Sequence, residues 1–190
     1  MLVLLGGLVL LNAVLLLAGP RAAVVEHRPA ARVGLVFDVG GRGDKACNDL
    51  AWAGLERARR DLGVLVQAME PGEGGDRESA IRLLAAQGFD LVIGVGFIFS
   101  DDMFEIAREY PKTRFACVDY ARFDANGLVA PPPNMVALKF REEEGCFLVG
   151  ALAALSSRSG VLGFVGGMDT PHIHKFEAGF AAGARHVRPE

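Results

Sequence analysis

From residue 33 onward, short apolar runs alternate with amphipathic stretches. Val33-Gly34-Leu35-Val36-Phe37, Val64-Leu65-Val66, Leu91-Val92-Ile93 and Phe115-Ala116-Cys117-Val118 are uninterrupted runs of strand length, the pattern of strands covered on both faces. Between them, Ala51, Leu55, Ala58 and Leu62 form one stripe at helical spacing, and Ile81, Leu84 and Ala85, closed by Gly88, form a second. A third helix, capped by Ser100, carries Phe104 and Ala107 and stops before Pro111. Strands and helices alternating at this interval predict βαβ units and a parallel sheet with right-handed crossovers.

Residues 126–133, with three consecutive prolines, read as a surface excursion rather than an element. Beyond it, residues 135–140 predict a strand. Phe147, Leu148, Leu152 and Leu155 stripe a helix that opens near Glu142, with Glu142 to Glu144 as its solvated, acidic start. Ser156 to Gly160 form a polar hinge. Residues 161–165 predict a new strand, and Ile173, Phe176, Phe180 and Ala184 a helix. One strand–helix unit cannot close a core of its own.

Ahead of this body, residues 2–19 are uncharged and interrupted only by Asn12. That length exceeds the apolar core of most export signals and just suffices to cross a bilayer. Arg21, Arg28 and Arg32 follow the block and none precedes it, which taken literally would hold the body in the cytoplasm. Against this, Leu17-Ala18-Gly19-Pro20 is similar to a lipoprotein processing box with proline where the lipidated cysteine would stand, and the expectation is an extracytoplasmic body. The chain thus divides into a signal peptide or membrane anchor over 1–19, a tether over 20–32, an N-terminal α/β lobe over 33–155 and the start of a second, incomplete α/β lobe over 156–190.

Composition narrows the function. The chain is 51% apolar and 23% charged, with net charge −3 and three cysteines. Disorder, a disulfide scaffold and a strongly basic nucleic-acid binder are all excluded.

Ligands of parallel sheets bind beyond the carboxyl ends of the strands. There the first strand delivers Asp38, a glycine loop, Asp44 and Asn48, and the third delivers Gly94-Val95-Gly96-Phe97. The fourth delivers Asp119. Asp38, Asp119 and Asn48 form a plausible acceptor set for hydroxyls or an ammonium group. The glycine loop lacks phosphate-loop spacing, and Asp38 would repel a phosphate. His172 and His174, two residues apart, do not share a helix face, so no metal is expected, and no cofactor either. Cys117 and Cys146 read as small buried thiols.

Three motifs taken together carry a resemblance: Asp38-x-Gly-Gly-x-x-Asp44-Lys-x-x-Asn48, Gly94-Val-Gly-Phe97 with Ser100-Asp101, and Gly163-Phe-Val-Gly-Gly-Met168 followed by Lys175-Phe-Glu-x-Gly-Phe180. From Val33 to its last residue the chain resembles the basic membrane protein family of ABC-transporter substrate-binding lipoproteins. The resemblance implies an α/β, type I periplasmic-binding-protein fold whose two lobes close on a nucleoside, often a purine nucleoside. It implies no enzyme activity and a membrane permease as partner. On this analogy Asp38, Asp44, Asn48, Phe97, Asp119 and Phe176 face the ligand, Asp38, Asn48 and Asp119 binding ribose or base and Phe176 stacking on the base. Cys47 stands where the family usually has phenylalanine, which removes one stacking ring. Two other readings stay open: a truncated or degenerate copy, and a Rossmann-like enzyme acting on a nucleoside.

Overall fold

The computed structural model describes residues 31–72 and 76–189. The leader and all but the end of the tether lie outside the described residues. Among those described, no helix is long and apolar enough to cross a membrane.

Five parallel strands, β1 (Arg32–Val36), β2 (Leu65–Met69), β3 (Leu91–Val95), β4 (Arg114–Val118) and β7 (Met135–Leu138), form a sheet in the order β2-β1-β3-β4-β7. Helices α1 (Cys47–Leu62), α2 (Arg77–Ala86) and α3 (Ser100–Glu109) connect the first four strands. The two-residue period of β1 sorts its side chains onto two faces. Val33, Leu35 and Phe37 pack with Leu55 and, at its edge, Ala51 and Ala58 of α1. Val36 joins the opposite core with Ile81, Leu84 and Ala85 of α2 and Met103, Ile106 and Ala107 of α3. The stripes of α1 and α2 therefore find the sheet, except that Leu62, in the last turn of α1, is exposed; of the α3 stripe, Ala107 joins the core while Phe104 lies under the Arg122 guanidinium.

Right-handed crossovers explain this division. The chain leaves β1 toward β2 and then returns past β1 to β3 and β4, so α1 covers one face and α2 and α3 the other. The direction of travel reverses between β1 and β3, which opens a crevice at their carboxyl ends.

The second core closes tightly. A Cβ on Gly34 would lie 2.7 Å from Leu84 Cδ1, so the leucine seats directly on the backbone of β1. Leu84→Ala is expected to cost about 3 kcal/mol, because transfer and cavity costs add where packing cannot relax. Urea unfolding followed by circular dichroism would measure it.

The structure corrects four local expectations. Ser100 opens α3 rather than capping it: its hydroxyl donates to Phe97 O (2.6 Å) and accepts from Ala121 N (2.9 Å). The proline-rich excursion includes part of a small antiparallel ladder, β5 (Phe123–Asp124) with β6 (Gly127–Leu128), turned at Gly127 with φ +115°. Residues 161–165 are not a strand. They find no neighbouring strand among the described residues, Val165 is 97% exposed, and Phe164 docks against Phe180. Finally, Glu142 is not solvated; its side chain is 6% exposed and paired with Lys175.

Helices α4 (Glu142–Ser156) and α5 (Pro171–Val187) pack backbone to backbone. A Cβ on Gly150 would fall 1.9 Å from Phe180 O, one on Gly179 2.2 Å from Glu143 O, and one on Gly183 1.8 Å from Phe147 O. This glycine seam sets how deeply α5 sits, and so where its first turn meets the sheet. Outside the seam, Leu148, Leu152 and Leu155 of the predicted stripe are exposed.

Candidate functional site

At the end of β1, Asp38 donates its backbone N–H to Asn48 Oδ1 (3.1 Å), while its own Oδ1 accepts from Val39 N (2.6 Å). Asn48 is buried and spends its side-chain oxygen on this link between β1 and α1. The other Asp38 oxygen lies against Gly96, where a Cβ would approach it to 2.5 Å. Gly96 also has φ +111°; both the close approach and the backbone conformation require glycine. Burial lifts the Asp38 carboxyl above its ordinary value, with the Val39 N–H and the Arg77 charge opposing.

Asp44 has a different task. Its two oxygens accept from Ala46 N, Asn48 N and Asp49 N at 2.8–3.2 Å, and those donors, that of Ala46 foremost, hold it below the usual carboxylate range. It satisfies the open amides at the start of α1. Of the sequence-predicted site residues, Asp44 and Asn48 are thus engaged in building the loop. Cys47 is exposed.

Phe97, Asp119 and Phe176 come together around a residue not expected to take part, His172. Phe97 follows β3 and its ring centroid lies 5.1 Å from that of His172; Phe176 meets the other side at 5.3 Å, edge-on. His172 Nε2 lies 3.0 Å from Asp119 Oδ2. Asp119, just past β4, adopts φ +67°, a left-handed conformation that aspartate tolerates better than most residues, and its N–H is held by Leu138 O (2.8 Å). Phe99, by contrast, is core.

Thr170 caps α5 by accepting from Ile173 N, and Pro171 follows as the first helical residue. This puts His172 and Phe176, four apart, on one face aimed at β3 and β4. That spacing is the sign of His172 in the sequence; His174, two residues on, does not share this face.

Behind His172 stands a charged pair. Lys175 Nζ lies 2.5 Å from Glu142 Oε2 and 3.1 Å from Glu143 Oε2. Burial would raise the Glu142 carboxyl, but the Lys175 ammonium outweighs it and holds the group below its ordinary value. Asp119 goes the other way: burial lifts it, Glu142 pushes in the same direction, and His172 opposes both. Asp119, Glu142 and His172 each offer a ligand atom within 4.8 Å of the others. The Lys175 ammonium on Glu142 offsets part of this charge and would repel a divalent cation, so the cluster reads as a hydrogen-bond network.

Chemically, the crevice presents carboxylates at the ends of β1 and β4, with the rings of Phe97, His172 and Phe176 clustered beside Asp119, a setting for a flat, neutral group that donates hydrogen bonds.

Comparison with known proteins agrees with this architecture. The family model described as ABC transporter substrate-binding protein PnrA-like matches residues 31–190. A lipoprotein of Pyrococcus horikoshii is 38% identical over 159 residues, covering 82% of this chain and 38% of that protein. The ABC transporter nucleoside-binding protein BmpA of Lactococcus lactis is 27% identical over 163 residues, covering 84% and 44%. Among solved structures, an ABC transporter solute-binding protein of Aeropyrum pernix K1 superposes with TM-score 0.70 at 33% identity, covering 84% of this chain and 44% of that one. The chain spans about two fifths of the length of these relatives.

Proposed function

The chain belongs to the PnrA-like family of ABC transporter substrate-binding proteins, and from that premise we infer that it holds a purine nucleoside in the crevice beyond β1, β3 and β4. The family binds solutes and delivers them to a membrane permease; it is not a family of enzymes. The observation that carries the nucleoside reading is the gathering of Phe97, Phe176 and Asp119 at the reversal of the sheet.

A purine offers a flat apolar face for the rings and edge donors for the carboxylate. Its ribose hydroxyls would donate to Asp38, whose Oδ2 is turned toward Gly96. Asp44 and Asn48 would act by shaping the loop that carries Asp38. The name of the Lactococcus relative supports the same ligand class. In this reading the body works on the extracytoplasmic face of the membrane, attached through residues 2–19 or released from them, with an ABC permease as its partner.

Calorimetric titration of the full chain with guanosine, inosine and adenosine, with chromatography of the recovered nucleosides, tests the proposal. Saturable heat with unchanged nucleoside is expected. Formation of free base or another product would replace the receptor with an enzyme.

A further inference from the structure

We propose that His172 is the specificity-determining residue of this crevice: by donating from Nε2 to Asp119 it keeps that carboxylate an acceptor, so the site takes a nucleobase edge that donates rather than one that accepts. The proposal rests on the nucleoside reading and adds to it a choice among nucleosides.

Groups from three elements face Asp119. From α4 comes Glu142, held as a carboxylate by Lys175 of α5. From α5 comes His172, 2% exposed, with Nε2 at 3.0 Å. From its own strand comes the buried Cys117, whose thiol burial pushes up to about 12 and which therefore adds no charge. The backbone N–H of Asp119 goes to Leu138 of β7.

Two neighbours thus make opposite demands. A carboxylate beside a second carboxylate favours sharing one proton, whereas an N–H donor favours the ionised form. Lys175 neutralises Glu142 but does not contact Asp119. His172 is therefore the residue that donates to Asp119 from the side chains around it. In this proposal the proton sits on Nε2, facing Asp119 at 3.0 Å, and Nδ1, buried without a hydrogen-bond partner, is the ring's acceptor. Asp119, part-exposed beside the His172 ring that Phe97 and Phe176 contact, then presents its carboxylate lone pairs to the crevice.

Guanine meets such lone pairs with N1–H and an exocyclic amine. Adenine presents N1 as an acceptor, which would face a carboxylate unless Asp119 carried a proton. His172 acts through Asp119, as a positioning residue, and its removal should move the choice between these two edges rather than simply weaken binding.

The test uses the full chain and four proteins: wild type, His172→Val, His172→Gln and Glu142→Gln. Guanosine and adenosine are titrated into each, and the Asp119 side-chain carboxyl is titrated by carbon NMR. The wild type should prefer guanosine. His172→Val should lower the guanosine-to-adenosine ratio about tenfold, matching a rise of about one unit in the Asp119 midpoint. His172→Gln, which keeps an N–H donor, should restore both, and Glu142→Gln should shift the midpoint down and the ratio toward guanosine. Equal ratios in the wild type and His172→Val, or a loss in His172→Val that glutamine does not restore, would overturn the proposal. If the wild type binds neither nucleoside, the nucleoside reading falls. The Asp119 midpoint then decides the role of His172: a rise in His172→Val reversed in His172→Gln supports it, and an unmoved midpoint refutes it.

Discussion

Gly183→Val will detach α5 from α4. The Cβ that valine brings would stand 1.8 Å from the carbonyl oxygen of Phe147, well inside any tolerated contact, and the obstacle is helix backbone rather than a side chain that can swing aside. The neighbouring close approaches at Gly150 and Gly179 mean that tilting α5 to relieve one contact tightens another. The helices must separate, and the loss should exceed about 4 kcal/mol, the range reserved for severe overpacking and backbone conflict. Far-ultraviolet circular dichroism should show lost helix in the variant, and urea unfolding a lower midpoint. The five-stranded sheet, with its own two cores, should keep its thermal transition. A variant with wild-type stability would mean that the seam does not hold the helices as described.

Asp119→Ala has the largest expected effect on binding. It removes the acceptor at the centre of the site and leaves the buried Nε2–H of His172 unpaired. A hydrogen bond to a charged group contributes about 1.5–3 kcal/mol, so nucleoside affinity should fall about 10- to 100-fold, read by calorimetry. Stability responds with a definite sign. Asp119 is held above its unfolded value, so the folded protein binds its proton more tightly; its contribution is greatest below the unfolded carboxylate value and declines as pH rises through the folded one. Asp119→Asn cannot ionise, and urea midpoints measured across the carboxylate range should decline less with pH than in the wild type.

Much of this architecture is written in the apolar pattern. The continuous runs at 33–37, 91–93 and 115–118 become β1, β3 and β4 because strands buried on both faces cannot alternate with polar residues. Gly88, expected to close α2, does so with φ +74°. Residues 161–165 carry the same kind of run and form no strand, since a strand is completed by a neighbour and the pattern cannot tell whether one is there. The glycine seam was also visible, as Gly179 and Gly183 four apart, but a small-residue stripe acquires meaning only when the facing carbonyls are placed.

The site divides in the same way. Residues that end strands, Asp38, Phe97 and Asp119, follow from the rule that parallel sheets bind at their carboxyl ends. Asp44 follows from helix capping: its oxygens accept from three amides at the start of α1. His172 and Glu142 are a long-range matter. One lies 53 residues from its partner Asp119 and the other 33 from Lys175, and charge patterning along the chain reads Glu142 as an ordinary acidic helix start.

The most direct test of the ligand crevice is amide and aromatic NMR of the full chain during titration with guanosine. Saturable shifts concentrated at Asp38, Gly96, Phe97, Asp119, His172 and Phe176 are expected. Shifts confined to another surface, such as the groove between β2 and α2 lined by Met69, Glu70 and Ser79, or no shifts at millimolar guanosine, would contradict this.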